Sequence, residues 1–77
     1  MAILFVLIKC QSGMEKSIKK EITEINSVKT AHLVTGEYDI IAKLEADSTS
    51  QLQSVVLGKI RNISNIMQTV SLPVIDM

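Results

Sequence analysis

The first ten residues restrict the fold more than any other stretch of this chain. In Ala2-Ile3-Leu4-Phe5-Val6-Leu7-Ile8-Lys9-Cys10 an extended backbone puts Ile3, Phe5 and Leu7 on one face and Leu4, Val6, Ile8 and Cys10 on the other. A strand that is apolar on both faces needs cover on both. The chain has only 77 residues to provide it, and a domain of that size buries only about 60% of the surface that its unfolded form exposes. Yet 47% of its residues are hydrophobic, almost all aliphatic, with aromatics at 3%. Such a core is richer than a monomer of this size can cover, so self-association is the expected solution.

Other readings of the apolar run fail on its flanks. No basic segment precedes it and no small-residue cleavage site follows, as a signal peptide would need. Lys9 occupies a position where a lipid-modified Cys10 would want a small residue. Seven apolar residues cannot span a bilayer. Gln11-Ser12-Gly13 closes the run with turn residues, so it reads as a buried strand.

Ser12-Gly13-Met14-Glu15 matches a Ser-x-x-Glu capping box and predicts a helix start. Met14, Ile18, Ile22 and Ile25 then recur at helical spacing, with Glu15, Lys16, Lys19, Lys20, Glu21 and Glu24 on the other side. Glu15 and Lys19 are placed to form an (i, i+4) ion pair. Asn26-Ser27 ends the helix, and Val28 to Val34 has the β-branched content of a second strand. After the turn at Gly36, Ile40, Ala42, Leu44 and Ala46 alternate with Ile41, Lys43 and Glu45, which predicts a third strand in a hairpin with the second.

A second box, Ser48-x-x-Gln51, opens a helix with Leu52, Val55, Val56, Ile60 and Ile63 on its apolar stripe. Leu57 lies off that stripe, as a residue contacting another subunit would. Lys59 and Arg61 suit the helix C-terminal dipole. Asn65 to Ile75 reads as a last strand, in which Pro73 requires an edge or terminal position. The order β-α-β-β-α-β specifies an α+β, ferredoxin-like fold: a four-stranded antiparallel sheet with two helices on one face. The open face, with one apolar side of the first strand on it, predicts a dimer of stacked sheets.

The side chains offer little chemistry. Eight basic and eight acidic residues cancel without a basic block, so direct nucleic-acid binding is not expected. His32 is the only histidine and has no acidic or thiol neighbour in sequence, so neither a nucleophile-base pair nor a metal site can be assembled around it. Cys10 cannot form an intramolecular disulfide and reads as a small hydrophobe in a reducing compartment. Neither a catalytic residue nor a cofactor is expected. Gly36 with Asp39 is the one constellation that could hold a polar ligand: glycine lets backbone N–H groups approach a carboxylate, and Asp39 suits an ammonium. The competing reading leaves both as turn residues, Gly36 for the hairpin and Asp39 for its backbone bonds.

Thr35-Gly36-Glu37-Tyr38-Asp39 running into Ile40-Ile41 resembles the ligand-binding half, the RAM domain, of the Lrp/AsnC feast/famine regulators. The likeness extends over the apolar first strand, Gly13-Met14-Glu15, Val28-Lys29-Thr30-Ala31, Ala46-Asp47-Ser48 and Ile60-Arg61-Asn62-Ile63. It implies an effector-binding, oligomerising, non-enzymatic module of transcription regulation in the cytoplasm, without a membrane anchor. It also implies an amino acid or related metabolite bound between dimers, with Thr35, Gly36, Glu37, Tyr38, Asp39 and, more weakly, Thr69 as ligand-binding residues. Dimers assembling into an octamer, a decamer or a similar ring are implied too, with full-length Lrp/AsnC regulators as further partners. Met1 opens directly on the first strand, so the resemblance is to a stand-alone RAM protein. Residues 1–77 would form its single domain, without the helix-turn-helix domain that family regulators carry.

Two readings from other classes share the same element order. A small dimeric α+β-barrel enzyme of the monooxygenase type would have a roomy cavity within each subunit lined by aromatic and polar groups, and two aromatic residues are few for it. An RNA-recognition module would need aromatic residues on its central strands.

Overall fold

A computed structural model describes residues 1–75. β1 (Ala2–Cys10), α1 (Glu15–Thr23), β2 (Val28–Leu33), β3 (Ile40–Ala46), α2 (Thr49–Val55) and β4 (Ile66–Pro73) follow in the expected order, with a π-helical turn, Val56–Ile60, continuing α2. The sheet order is β2-β3-β1-β4, with every neighbouring pair antiparallel. Each β-α-β crossover therefore skips one strand: α1 links β1 to β2 across β3, and α2 links β3 to β4 across β1.

The double-sided β1 takes a central place, which is where its composition requires it to be. Leu4, Val6 and Ile8 are fully buried and Cys10 nearly so, under Ile18 and Ile22 of α1 and Leu52, Val56 and Ile60 of the α2 segment. Ile40, Ala42 and Leu44 of β3 and Val28 and Ala31 of β2 complete the layer. On the opposite face Ile3, Phe5 and Leu7 are only half-buried. Pairing sets Phe5 between Lys43 and Leu72, and Leu7 between Ile41 and Val70, so apolar side chains run in rows across a sheet face that carries no helix. Lys43 and Glu45 form an ion pair of 3.4 Å on that face.

Helix starts differ from expectation at α1. Met14 is its N-cap and carries no side-chain cap, while Glu15 Oε1 accepts from the Gly13 N–H at 3.0 Å. Gly13, at φ +90°, turns the chain so that Ser12 lies two residues ahead of the cap, where its hydroxyl does not serve as one. Glu15 thus faces backward, and the predicted pair with Lys19 does not form. At α2 Ser48 does cap, accepting from the Gln51 N–H at 3.2 Å.

The π-turn follows from the spacing of the core residues. Leu52, Val56 and Ile60 are four apart, and an α-helix overshoots one full turn by roughly 40° at each such step. A wider i→i+5 turn rotates less per residue and returns Ile60 to the core face. Its signature is the Arg61 N–H bonded to the Val56 carbonyl at 2.9 Å. Asn62 Nδ2 donates to the Gly58 carbonyl at 2.8 Å and closes the end. β4 is an edge strand ending at Pro73, the position proline tolerates. Opposite Lys9 and Cys10 it contains one extra, unpaired residue, Met67.

Candidate functional site

The link between β2 and β3 is held at its base. The Val34 N–H bonds to the Asp39 carbonyl, and the Asp39 N–H to the Ile8 carbonyl, both at 2.9 Å. Between these anchors the N–H groups of Thr35, Gly36, Glu37 and Tyr38 donate to no protein acceptor among the described residues. Gly36, at φ +120°, takes a conformation that L side chains rarely adopt. Thr35, Gly36 and Glu37 are exposed; Tyr38 and Asp39 are half-buried.

Asp39 also has a structural task that its position in sequence did not reveal. Its Oδ2 accepts from the backbone N–H of Cys10 at 2.9 Å, across 29 positions of sequence. β1 runs on past the end of β3, and the carboxylate substitutes for the missing strand. Cys10 is buried beside it, and burial first, then the negative charges of Asp39 and Glu15, push the thiol pKa up. A protonated, covered thiol is a core residue and not a nucleophile.

The turn therefore brings five of the expected site residues together and combines free N–H donors with two carboxylates, Glu37 and Asp39. The N–H groups can receive an anion, and the carboxylates attract a cation. That pairing suits a zwitterion. Thr69 is not part of this cluster. It pairs with Ile8 on the far side of β1, about two strand spacings, or roughly 10 Å, from β3. It lines a groove between β4 and the α2 segment, with Gln53, Val56, Leu57, Arg61 and Ser71. Leu57 is 60% exposed there, in keeping with its place off the apolar stripe. Sequence reasoning missed Gln53 and Ser71 and gave Arg61 only to the helix dipole. The alternation Thr69-x-Ser71, two hydroxyls on one face of an edge strand, was the available signal.

Residues 3–77 match the family model described as the Lrp/AsnC ligand binding domain. The chain belongs to this family. An uncharacterized HTH-type transcriptional regulator of Pyrococcus furiosus is 35% identical over 71 residues, which cover 88% of this chain and 47% of that protein. The Lrp/AsnC chain described here thus spans about half the length of the curated relatives it matches. Among solved structures, FFRP-DM1 superposes with a TM-score of 0.92 at 32% identity, covering 97% of this chain and all of that one. The Escherichia coli AsnC structure gives 0.90 at 28% identity, covering 99% of this chain and 52% of that one. The ferredoxin-like architecture is therefore that of the family's ligand-binding domain, and the barrel-enzyme alternative finds no support. No helix among the described residues is long and apolar enough to cross a membrane.

Proposed function

We propose that this Lrp/AsnC domain is a cytoplasmic amino-acid sensor that binds its effector in the Thr35–Asp39 turn, at contacts between dimers, without catalysing a reaction. The observation that carries the reading is the row of four N–H groups beside Asp39 that donate to no protein acceptor among the described residues, set in a chain of a ligand-binding family. In this reading the effector carboxylate accepts from the N–H groups around Gly36. Its ammonium rests on the Asp39 oxygen that Cys10 leaves free, with Glu37 adding charge. A single exposed turn cannot enclose a ligand, so a second dimer supplies the remaining wall, and binding and assembly are linked.

Residues 1–77 form one domain in this account, and the smallest unit is a dimer. Its sheets stack through Ile3, Phe5, Leu7, Ile41, Val70 and Leu72, which removes the apolar rows from water. Four or five such dimers close into a ring, since one repeated patch with a fixed rotation satisfies every subunit. Regulation of transcription follows through mixed assembly with full-length Lrp/AsnC regulators, and this domain itself makes no contact with nucleic acid.

The test is a thermal-shift screen of the amino acids, repeated by sedimentation. A ligand specific for the native assembly stabilises it by about 2.7 kcal/mol at a hundredfold excess over Kd. The expected result is a raised melting point with a changed oligomer distribution for one amino acid or a related group. An unmoved melting point and distribution across the whole panel would leave the turn as a hairpin connection only.

A further inference from the structure

We infer that the free edge of β2, with the lysine flank of α1 beside it, is a docking site for an acidic segment of another protein, which adds to the sheet as an extra strand. β2 ends the sheet on one side. The Val34 N–H bonds to the Asp39 carbonyl, and pairing continues in the same register through His32 and Ile41 to Thr30 and Lys43. Main-chain groups alternate in direction along a strand, so those of Thr30, His32 and Val34 address β3 and those of Ala31 and Leu33 point outward. The outward groups meet no partner among the described residues. Open edges invite pairing, and bulges are one guard against it. The register shift at Lys29 guards only the first half of β2, and the half that holds Ala31 and Leu33 is regular.

Charge at this edge selects the partner. The eight basic and eight acidic residues cancel in the sequence, but on α1 the fold separates them. Lys16, Lys20 and Thr23 are spaced four and three apart and share one stripe, with Lys19 beside it. Glu21 and Glu24 fall on the other flank of the helix, and the Glu15 carboxylate is turned back onto the Gly13 N–H. No lysine of α1 forms an ion pair among the described residues. Together with Leu33, these three lysines and Thr23 line a groove of about 340 Å³ between α1 and the β2 edge, with no carboxylate in its lining. Leu33 pairs with the buried Ile40, so its side chain lies on the helix-bearing side, and it is still 42% exposed.

An occupant must therefore offer both main-chain bonds and negative charge. A second copy of this chain, pairing edge to edge through β2, would set one lysine flank against the other, and like charges oppose that contact. Nucleic acid would meet the lysines but leave the outward groups of Ala31 and Leu33 unused, and no aromatic side chain lines the groove. An extended acidic peptide meets both demands: its backbone continues the ladder, and its alternate side chains rise toward the lysines. The added strand widens the sheet and shares no residue with the Thr35–Asp39 turn.

Calorimetric titration of the intact protein with a blocked peptide of alternating glutamate and threonine, about six residues long, tests the assignment. Saturable binding is expected. Replacing the three lysines together, by Lys16→Gln, Lys19→Gln and Lys20→Gln, should weaken it at least about threefold, as the loss of three surface ion pairs at the weak end of their range would. Glutamine favours the helix about as much as lysine, so this variant should keep the parent's circular dichroism. Leu33→Pro removes an outward N–H that no strand of the protein uses and should also weaken binding. Lys59→Gln, outside the groove, should titrate like the parent. A peptide with glutamine for glutamate, and one methylated on the backbone nitrogens of its pairing edge, should each bind much more weakly. The inference is overturned by a lack of saturable binding, by equal affinity for either altered peptide, by equal affinity in the lysine variant, or by equal weakening in Lys59→Gln. An oligothymidylate bound as tightly as the peptide would give the lysines to nucleic acid. A lower oligomeric state in Leu33→Pro, with no peptide binding to the parent, would give the edge to a second copy, and either result would overturn the inference too.

Discussion

Replacing Asp39 by Asn and by Ala separates its two roles. The carboxylate accepts the Cys10 N–H at 2.9 Å next to a buried side chain. A hydrogen bond to a charged acceptor contributes about 1.5–3 kcal/mol, and Asp39 is only half-buried, so the lower end applies. Asp39→Ala orphans that N–H and should cost about 1.5 kcal/mol. Asp39→Asn keeps a neutral carbonyl acceptor, about half as strong, and should cost about 0.5–1 kcal/mol. For a domain of this size each kcal/mol moves the melting point by roughly 4–8 °C. Alanine should therefore melt roughly 6–12 °C below the parent, with asparagine between the two. Both variants lose the ammonium anchor, so both should lose the amino-acid response, and asparagine does so with the smaller loss of stability. Melting curves at one protein concentration, with and without ligand, give both numbers, since an oligomer's apparent stability depends on concentration. Equal melting points for parent and alanine would refute the structural role. An undiminished ligand shift in asparagine would refute the ammonium contact.

Phe5→Asp places a charge in the middle of the apolar rows and should yield monomer or unfolded chain by light scattering at micromolar concentration, where a folded dimer would contradict sheet stacking. Gly36→Ala should destabilise by about 1–3 kcal/mol through backbone strain alone, since a methyl group there meets nothing within 4 Å. Gly58→Ala, in the π-turn with equally open surroundings and no positive φ, should stabilise by about 0.5–1 kcal/mol in denaturant unfolding. Cys10 should resist alkylation in the native protein and react on unfolding. Its thiol pKa is raised on folding, so the folded chain holds its proton longer, and this group's contribution to stability is present below the ordinary thiol range and falls as pH rises through it.

Local pattern carried most of the fold. Alternation marked β3 as a strand, the double apolar faces of β1 called for cover on both sides, and helical spacing placed Ile18, Ile22, Leu52 and Ile60 in the core. What escaped depends on geometry beyond a short window. A capping box is a sequence of four residues, and Gly13 displaced this one by bending the chain before the helix began. The π-turn was implicit in the strict four-residue spacing of Leu52, Val56 and Ile60, but only the packed sheet decides that a helix will widen to keep them inward. The bond from Asp39 to Cys10 joins groups 29 residues apart, so the turn looked purely local. Thr69 could be assigned to a site by resemblance, yet only the strand order reveals that β1 stands between it and Asp39.

A crystal structure of the assembled protein, grown with the amino acid that raises its melting point most, tests the sensing account most directly. The account predicts that amino acid between two dimers, its carboxylate within hydrogen-bond distance of the N–H groups around Gly36 and its ammonium against Asp39. The same amino acid enclosed within one subunit, or seated away from the Thr35–Asp39 turn, would contradict it.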